Sequence, residues 1–335
     1  MIARNAPTPE PQNWQQQMQN ALRSPKQLID YLGLPENMSR DAQWGHQQFP
    51  VAVPLAYANR MNPENPQDPL LRQVLPLADE QHSLPGYSSD AVGDLEKMPV
   101  PGVIHKYHGR LLLITTAACA INCRYCFRRH FPYRQASASR QNWTAALNYL
   151  DEHKEVNEVI LSGGDPLMLS NSKLQELGQQ LCKIKHVKRI RIHSRLPVVL
   201  PDRVDEGLTD FLEQLPLQKL IVIHANHSAE LDQQVQTALK RLSNTGVTLL
   251  NQSVLLKGIN DHPETLCDLS ERLFECAVMP YYLNLLDKVQ GSAHFDLDLE
   301  RASHIMHQMR SRISGYLVPR LVRENPGEAY KLPVL

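Results

Sequence analysis

The chain has 335 residues, with 35 Lys plus Arg against 35 Asp plus Glu and a formal net charge of zero at pH 7. That length allows one large core or two modest ones, and the charge balance gives no reason to expect nucleic acid or a charged macromolecular partner. Residues 1–20 lack the apolar centre of a signal peptide and no apolar run approaches bilayer length, so no membrane association is expected.

Residues 1–100 read as a mostly helical extension, and 101–335 as the catalytic unit. "NWQQQMQNALRSPKQLIDYL" places Trp14, Met18, Leu22 and Leu28 at helical spacing, with Pro25 opening a second element. "MNPENPQDPLLRQVLP" and "LPGYSSDAVGDLEKMPVPG" are rich in Pro, Asp and Asn. They predict ordered loops around short helices, since they keep apolar residues that plain disorder lacks. From about residue 110, short β-branched runs recur: "LLLITT" (111–116), "NEVILSG" (157–163), "RIRIHS" (189–194) and "KLIVIHA" (219–225). "VTLLNQ" (247–252), "VMPYYLN" (278–284) and "GYLVP" (315–319) continue the series. Between them lie helical patterns such as "NSKLQELGQQLCKI" and "ELDQQVQTALKRLSNTG", the latter closing on Asn244 and Gly246.

Strands alternating with helices predict a parallel sheet, and seven of them suit an incomplete α/β barrel better than a small nucleotide-binding unit. Cys119, Asp165, His193, His224, Asn251 and Asp287 all fall at strand ends. In a parallel barrel those ends share the face on which active sites form.

Six cysteines, three of them within residues 119–126, do not form a disulfide framework and fit a reducing cytoplasm. Clustered thiolates in such a compartment point to a metal centre. Zinc and iron–sulfur sites normally take four protein ligands. Three thiolates on a 4Fe-4S cube leave one iron open. Cys182, Cys267 and Cys276 lie on helical patterns and read as core.

The spacing Cys119-x3-Cys123-x2-Cys126, just after the first expected barrel strand, resembles the signature of the radical S-adenosylmethionine enzymes. The resemblance implies that the open iron holds S-adenosylmethionine, whose cleavage yields a 5′-deoxyadenosyl radical. Tyr125 matches the aromatic position near the adenine. "SGGDPLML" (162–169), with Gly163, Gly164 and Asp165, resembles the segment that meets the methionyl amino group, although Asp165 also reads as a simple N-cap. With "HSRLPVVLPDR", "HANH", "NQSVLLKGIND" and "PYYLNLLDKVQGSAHF", and with "PLAYANRMNPENPQDPLLRQVLP" and "VPGVIHKYHGR" upstream, the chain closely resembles the lysine 2,3-aminomutase family. His224 and Gln252 fall in these segments, at positions where contacts to S-adenosylmethionine are expected.

That family implies an incomplete (β/α)6-type parallel barrel and adds pyridoxal 5′-phosphate, held as an imine by a lysine near the carboxyl end. "ENPGEAYKLPVL" offers Lys331 in a segment poorer in glycine than is usual for the family. Lys106 and Arg110 fall where cations for the cofactor phosphate are expected, and Arg128 where the substrate carboxylate is bound by a planar fork. Asp287 and Glu324 match the two acidic positions for a lysine ε-ammonium, Glu324 standing where Asp is usual. The implied reaction removes hydrogen from the β-carbon of lysine and moves nitrogen from the α- to the β-carbon. The absence of a cysteine-bearing carboxyl extension, and His262 after "IND", resemble a short subgroup that makes (R)-β-lysine for elongation factor P. That subgroup implies no structural zinc, a weaker or different oligomer, a functional link to the factor and its lysine ligase, and an electron donor such as flavodoxin or ferredoxin. The alternatives are the same framework acting on arginine, ornithine or glutamate, an iron–sulfur module without turnover, and sulfur insertion. The last needs a second cluster, for which the remaining cysteines lack the grouping.

Overall fold

The computed structural model describes residues 13–82, 84–136 and 143–334; residues 1–12, where no signal peptide is expected, lie outside them. Among the described residues the strands are β1 (Val103–Tyr107), β2 (Arg110–Thr116), β3 (Glu158–Gly163), β4 (Arg189–Ser194), β5 (Gln218–Ile223), β6 (Thr248–Val254), β7 (Met279–Asn284), β8 (Arg320–Arg323) and β9 (Leu332–Pro333). They form one sheet in chain order. β2 to β8 are parallel throughout, while β1 and β9 add antiparallel edges to β2 and β8. The two edges do not pair with each other, so the barrel is an open crescent.

Six helices follow β2 to β7 in turn: α1 (Thr144–Glu152), α2 (Asn171–Lys183), α3 (Glu206–Gln214), α4 (Gln233–Asn244), α5 (Pro263–Glu275) and α6 (Leu299–Arg310). This is the (β/α)6 arrangement expected from the sequence. Ser170, Asp205, Asp232 and Asp298 cap α2, α3, α4 and α6 by accepting the N–H three residues on. Past α4, Gly246 takes a φ of +76°, the left-handed turn that "NTG" predicts. The seventh strand differs from expectation. "GYLVP" holds a 3-10 turn at Gly315–Leu317, and pairing begins only at Arg320. Pro319 has no N–H to give a ladder, so the strand starts after it.

Alternation along the strands divides outside from inside. In β4, Ile190, Ile192 and Ser194 are buried, while Arg189, Arg191 and His193 are half-buried on the opposite face. A closed eight-stranded barrel fills its interior with apolar layers. An open crescent leaves an accessible lumen, which here takes polar side chains.

The extension packs on this unit. Pro25 opens the helix Pro25–Leu32 behind a Ser24 cap, as its position predicts. Trp14, Leu28, Tyr57 and Leu70 share one continuous core with Leu113, Ile192 and Leu239 of the barrel. Cys267 and Cys276 are buried and Cys182 is half-buried against that core. Among the described residues no helix is long and apolar enough to cross a membrane.

Candidate active site

Cys119, Cys123 and Cys126 lie on the loop leaving β2, and tertiary contacts fix its path. Asn122 and Arg124 donate backbone N–H groups to the carbonyls of Ala52 and Gln73, at 3.2 and 2.8 Å. Arg124 is fully buried and donates Nε to Glu80 at 2.8 Å, and Arg129 donates Nη2 to the same carboxylate at 2.7 Å. Burial opposes ionisation of Glu80, but the two guanidinium groups hold its carboxyl below the usual value. One buried acid from the extension thus clamps both arginines of the cysteine loop.

The glycines of "SGGDP" close against this loop. A Cβ on Gly164 would lie 2.3 Å from the Ala118 carbonyl oxygen, and Gly163 has a φ of +126°. The space left by their missing side chains is filled by loop backbone, so the end of β3 and the cysteine loop lie in direct contact. Asp165 is held by four donors of the protein itself. Its Oδ1 accepts Ser194 Oγ (2.7 Å) and Leu167 N (3.0 Å), and its Oδ2 accepts Arg195 N (2.8 Å) and Leu196 N (3.1 Å). Both oxygens therefore tie the end of β3 to that of β4, and the N-cap reading describes the side chain.

Burial, then the charges of Cys126 and Asp165, push the Cys119 thiol well above its ordinary value, and burial with Cys123 lifts Cys126 to about 11. Three converging thiols cannot all ionise unaided, whereas a metal centre reverses that balance. The donor set fits a 4Fe-4S cluster. Arg195 Nη1 lies 2.6 Å from Cys123 Sγ, and Nη2 reaches Gln73 Oε1 (2.6 Å) and Glu230 Oε2 (2.7 Å).

Tyr125 and His224 meet beside the loop. The phenol oxygen is 3.0 Å from His224 Nε2 and accepts Asn226 Nδ2 at 2.7 Å, and the two rings stack with centroids 5.7 Å apart. Burial, with Arg195 nearby, lowers His224 to about 3, so the imidazole is neutral. Asn251 and Ser253 bind the backbone of Ala225 (2.9 and 2.8 Å), which takes Asn251 out of the expected rim group. Gln252, between them, alternates to the opposite face of β6.

At the other end of the crescent lies a chain of alternating charge. Lys331 Nζ contacts Glu324 Oε2 at 3.1 Å and donates to Asn284 Oδ1 at 2.9 Å. Glu324 Oε1 accepts Lys106 at 2.9 Å, and Lys106 meets Asp94 Oδ1 at 2.6 Å. Arg128 donates Nε to Asp94 Oδ2 (2.8 Å) and Nη1 to Ser162 Oγ (3.0 Å). Lys106, expected with Arg110 at a phosphate, is thus placed between two carboxylates. Arg110 stands apart, its guanidinium 4.4 Å from the Tyr107 ring, and faces a cleft of about 690 Å³ lined also by Tyr282, Arg320, Tyr330 and Lys331. Burial lifts the Asp287 carboxyl to about 7; Lys331 pulls it down and Glu324 pushes it up. Lys331, with a primary amine in this cleft, fits an imine with an aldehyde cofactor, and Arg110 and Arg320 supply cations suited to its phosphate.

Asp94, Ser162, Arg195, Asn284 and Arg320 escaped the sequence reading. Arg195 and Asn284 lie inside "HSRLP" and "YYLNLL", so motif context offered a signal for them. Asp94, in a proline-rich stretch, offered none.

An open parallel barrel with a three-cysteine loop on its first parallel strand defines a radical S-adenosylmethionine enzyme, and the profile of the Radical SAM superfamily matches residues 113–269. The chain is 46% identical to L-lysine 2,3-aminomutase of Escherichia coli over 98% of its own length and 96% of that protein. Proteins of the same name from Haemophilus influenzae (44%) and Buchnera aphidicola (42%) each match over 96% of this chain and 95% of theirs. The chain belongs to the lysine 2,3-aminomutase family, isomerases that work with a 4Fe-4S cluster, S-adenosylmethionine and pyridoxal 5′-phosphate, and to its short subgroup.

Proposed function

We propose that the protein converts L-lysine to β-lysine, using pyridoxal 5′-phosphate bound covalently through Lys331, and that the product is the (R) isomer destined for elongation factor P. The observation that carries the substrate assignment is the pair of half-buried carboxylates, Asp287 and Glu324, beside Lys331. Lys331 is itself an alkylammonium, and it shows what Glu324 accepts. Once its nitrogen is covalently engaged, that positive charge leaves two carboxylates in a poorly solvated place. A substrate ε-ammonium restores it, whereas a side-chain carboxylate adds repulsion.

When bound, S-adenosylmethionine on the cluster supplies a carbon radical that removes unactivated hydrogen, and pyridoxal supplies a ring that delocalises an unpaired electron. The chain's own residues hold the parts in place. Asp94 aligns Arg128, whose fork suits the substrate carboxylate, and Lys106 fixes Glu324. Tyr125, His224 and Gln252 are assigned to S-adenosylmethionine, with Gly163, Gly164 and Asp165 shaping the loop beneath it. The electron is assigned to a flavodoxin or ferredoxin, and the working compartment to the cytoplasm.

The deciding experiment is anaerobic incubation of the reconstituted protein with lysine, dithionite and S-adenosylmethionine, followed by chiral analysis. (R)-β-Lysine is expected, with arginine, ornithine and glutamate turned over poorly. A protein loaded with both cluster and pyridoxal that makes no β-lysine overturns the reading. Transfer of the isolated product to elongation factor P by its lysine ligase tests the destination.

A further inference from the structure

We propose that His105, His153 and Glu155 bind a divalent transition metal of the zinc type, on the face of β1 opposite Lys106. One ligand atom from each of the three residues lies within 4.8 Å of the others. Metal bonds of about 2.0–2.1 Å draw such atoms to roughly 3.4 Å apart in a tetrahedral site. Glu155 is exposed at the loop after α1, so rotation of its side chain can close that difference.

Each of the two rings is held through Nδ1. His105 Nδ1 is 3.0 Å from the Tyr149 hydroxyl, and His153 Nδ1 is 2.7 Å from the Tyr149 carbonyl oxygen. Tyr149 also stacks on His153, with centroids 3.8 Å apart, and meets His105 edge-on. Fixing Nδ1 through an outer partner and presenting Nε2 is how metal-binding imidazoles are oriented. Lys154, the nearest cation in sequence, is tied to Asp151 at 2.8 Å.

The backbone around the trio is braced. Asn157 and Glu158 donate to the Gly109 carbonyl at 3.0 and 3.2 Å, which sets the loop after α1 against the β1–β2 turn. Two imidazoles and one carboxylate suit zinc, cobalt or nickel, not the all-oxygen cages of calcium or magnesium. The metal would pin the end of α1 to the strand whose opposite face carries Lys106. The inference is independent of which amino acid the enzyme rearranges.

The test uses tag-free holoprotein with its cluster loaded, so that the three thiolates are already occupied. Titration with Zn2+ followed by desalting and metal analysis is expected to leave one zinc per chain beyond the cluster iron. His153→Ala should abolish retention. Glu155→Gln, at an exposed position that does not threaten folding, should weaken zinc binding by an order of magnitude while iron content stays unchanged. Absence of retained zinc in the wild type, or wild-type zinc affinity in Glu155→Gln, overturns the proposal.

Discussion

At the scale of single residues, Asp287 shows how the substrate end of the site is held away from its own stability optimum. Its folded-state value of about 7 lies above the unfolded value of 3.8. Between those values the unfolded chain gives up its proton first, so the apoprotein loses stability as pH rises from about 4 to about 7. Asp287→Asn removes that loss. The variant is expected to be the more stable apoprotein at pH 8, by a few kcal/mol in denaturant unfolding, with the advantage vanishing near pH 4. The same variant should lose most lysine turnover, and an unchanged preference for lysine over ornithine would count against the pocket. Residues whose chemistry is scarce were legible in the sequence: clustered thiols, a lysine in a glycine-bearing tail, acids at strand ends. Asp94 was not legible, because its meaning comes from Lys106 and Arg128, 12 and 34 positions away, at 2.6 and 2.8 Å. Asp165 was read for its motif, whereas its four donors make it a joint between strands.

At the scale of elements, the cysteine loop depends on two neighbours outside it, Gly164 and Glu80. Gly164 lets the end of β3 touch the loop, and a side chain there would displace backbone. Gly164→Ala is expected to fold while losing most of its iron after reconstitution, read by iron content and by the visible absorption of the cluster. Glu80→Gln leaves two buried guanidinium groups without their counter-charge. Breaking a buried pair from one side costs about 3–5 kcal/mol, so the apparent melting temperature should fall by about 10 °C. The barrel strands and helices could be placed from periodicity because each strand is a short apolar run bounded by polar turns. The last one slipped, since "GYLVP" has strand composition but ends in a proline, and the pairing run "RLVR" is flanked by charges. In the extension the helix Pro25–Leu32 was signalled by Pro25 and its Ser24 cap, whereas the turns Leu55–Ala58 and Leu71–Gln73 have no side-chain cap to announce them.

At the scale of the whole molecule, the crescent separates two tasks. The cysteine loop, Arg195, Tyr125 and His224 gather around β2 to β5. Asp287 follows β7, Glu324 follows β8 and Lys331 immediately precedes β9, with Lys106, Asp94 and Arg128 linking the two groups. Truncation after Asn325 removes only a two-residue edge strand and its connection. The shortened chain is therefore expected to keep its cluster and still cleave S-adenosylmethionine with dithionite, while β-lysine formation disappears. Retention of product formation would remove Lys331 from the reaction. The apolar core runs from the extension through the sheet to the helices. Lys106 on β1 reaches Glu324 beyond β8, so an ionic clasp rather than a strand pairing joins the two margins of the crescent.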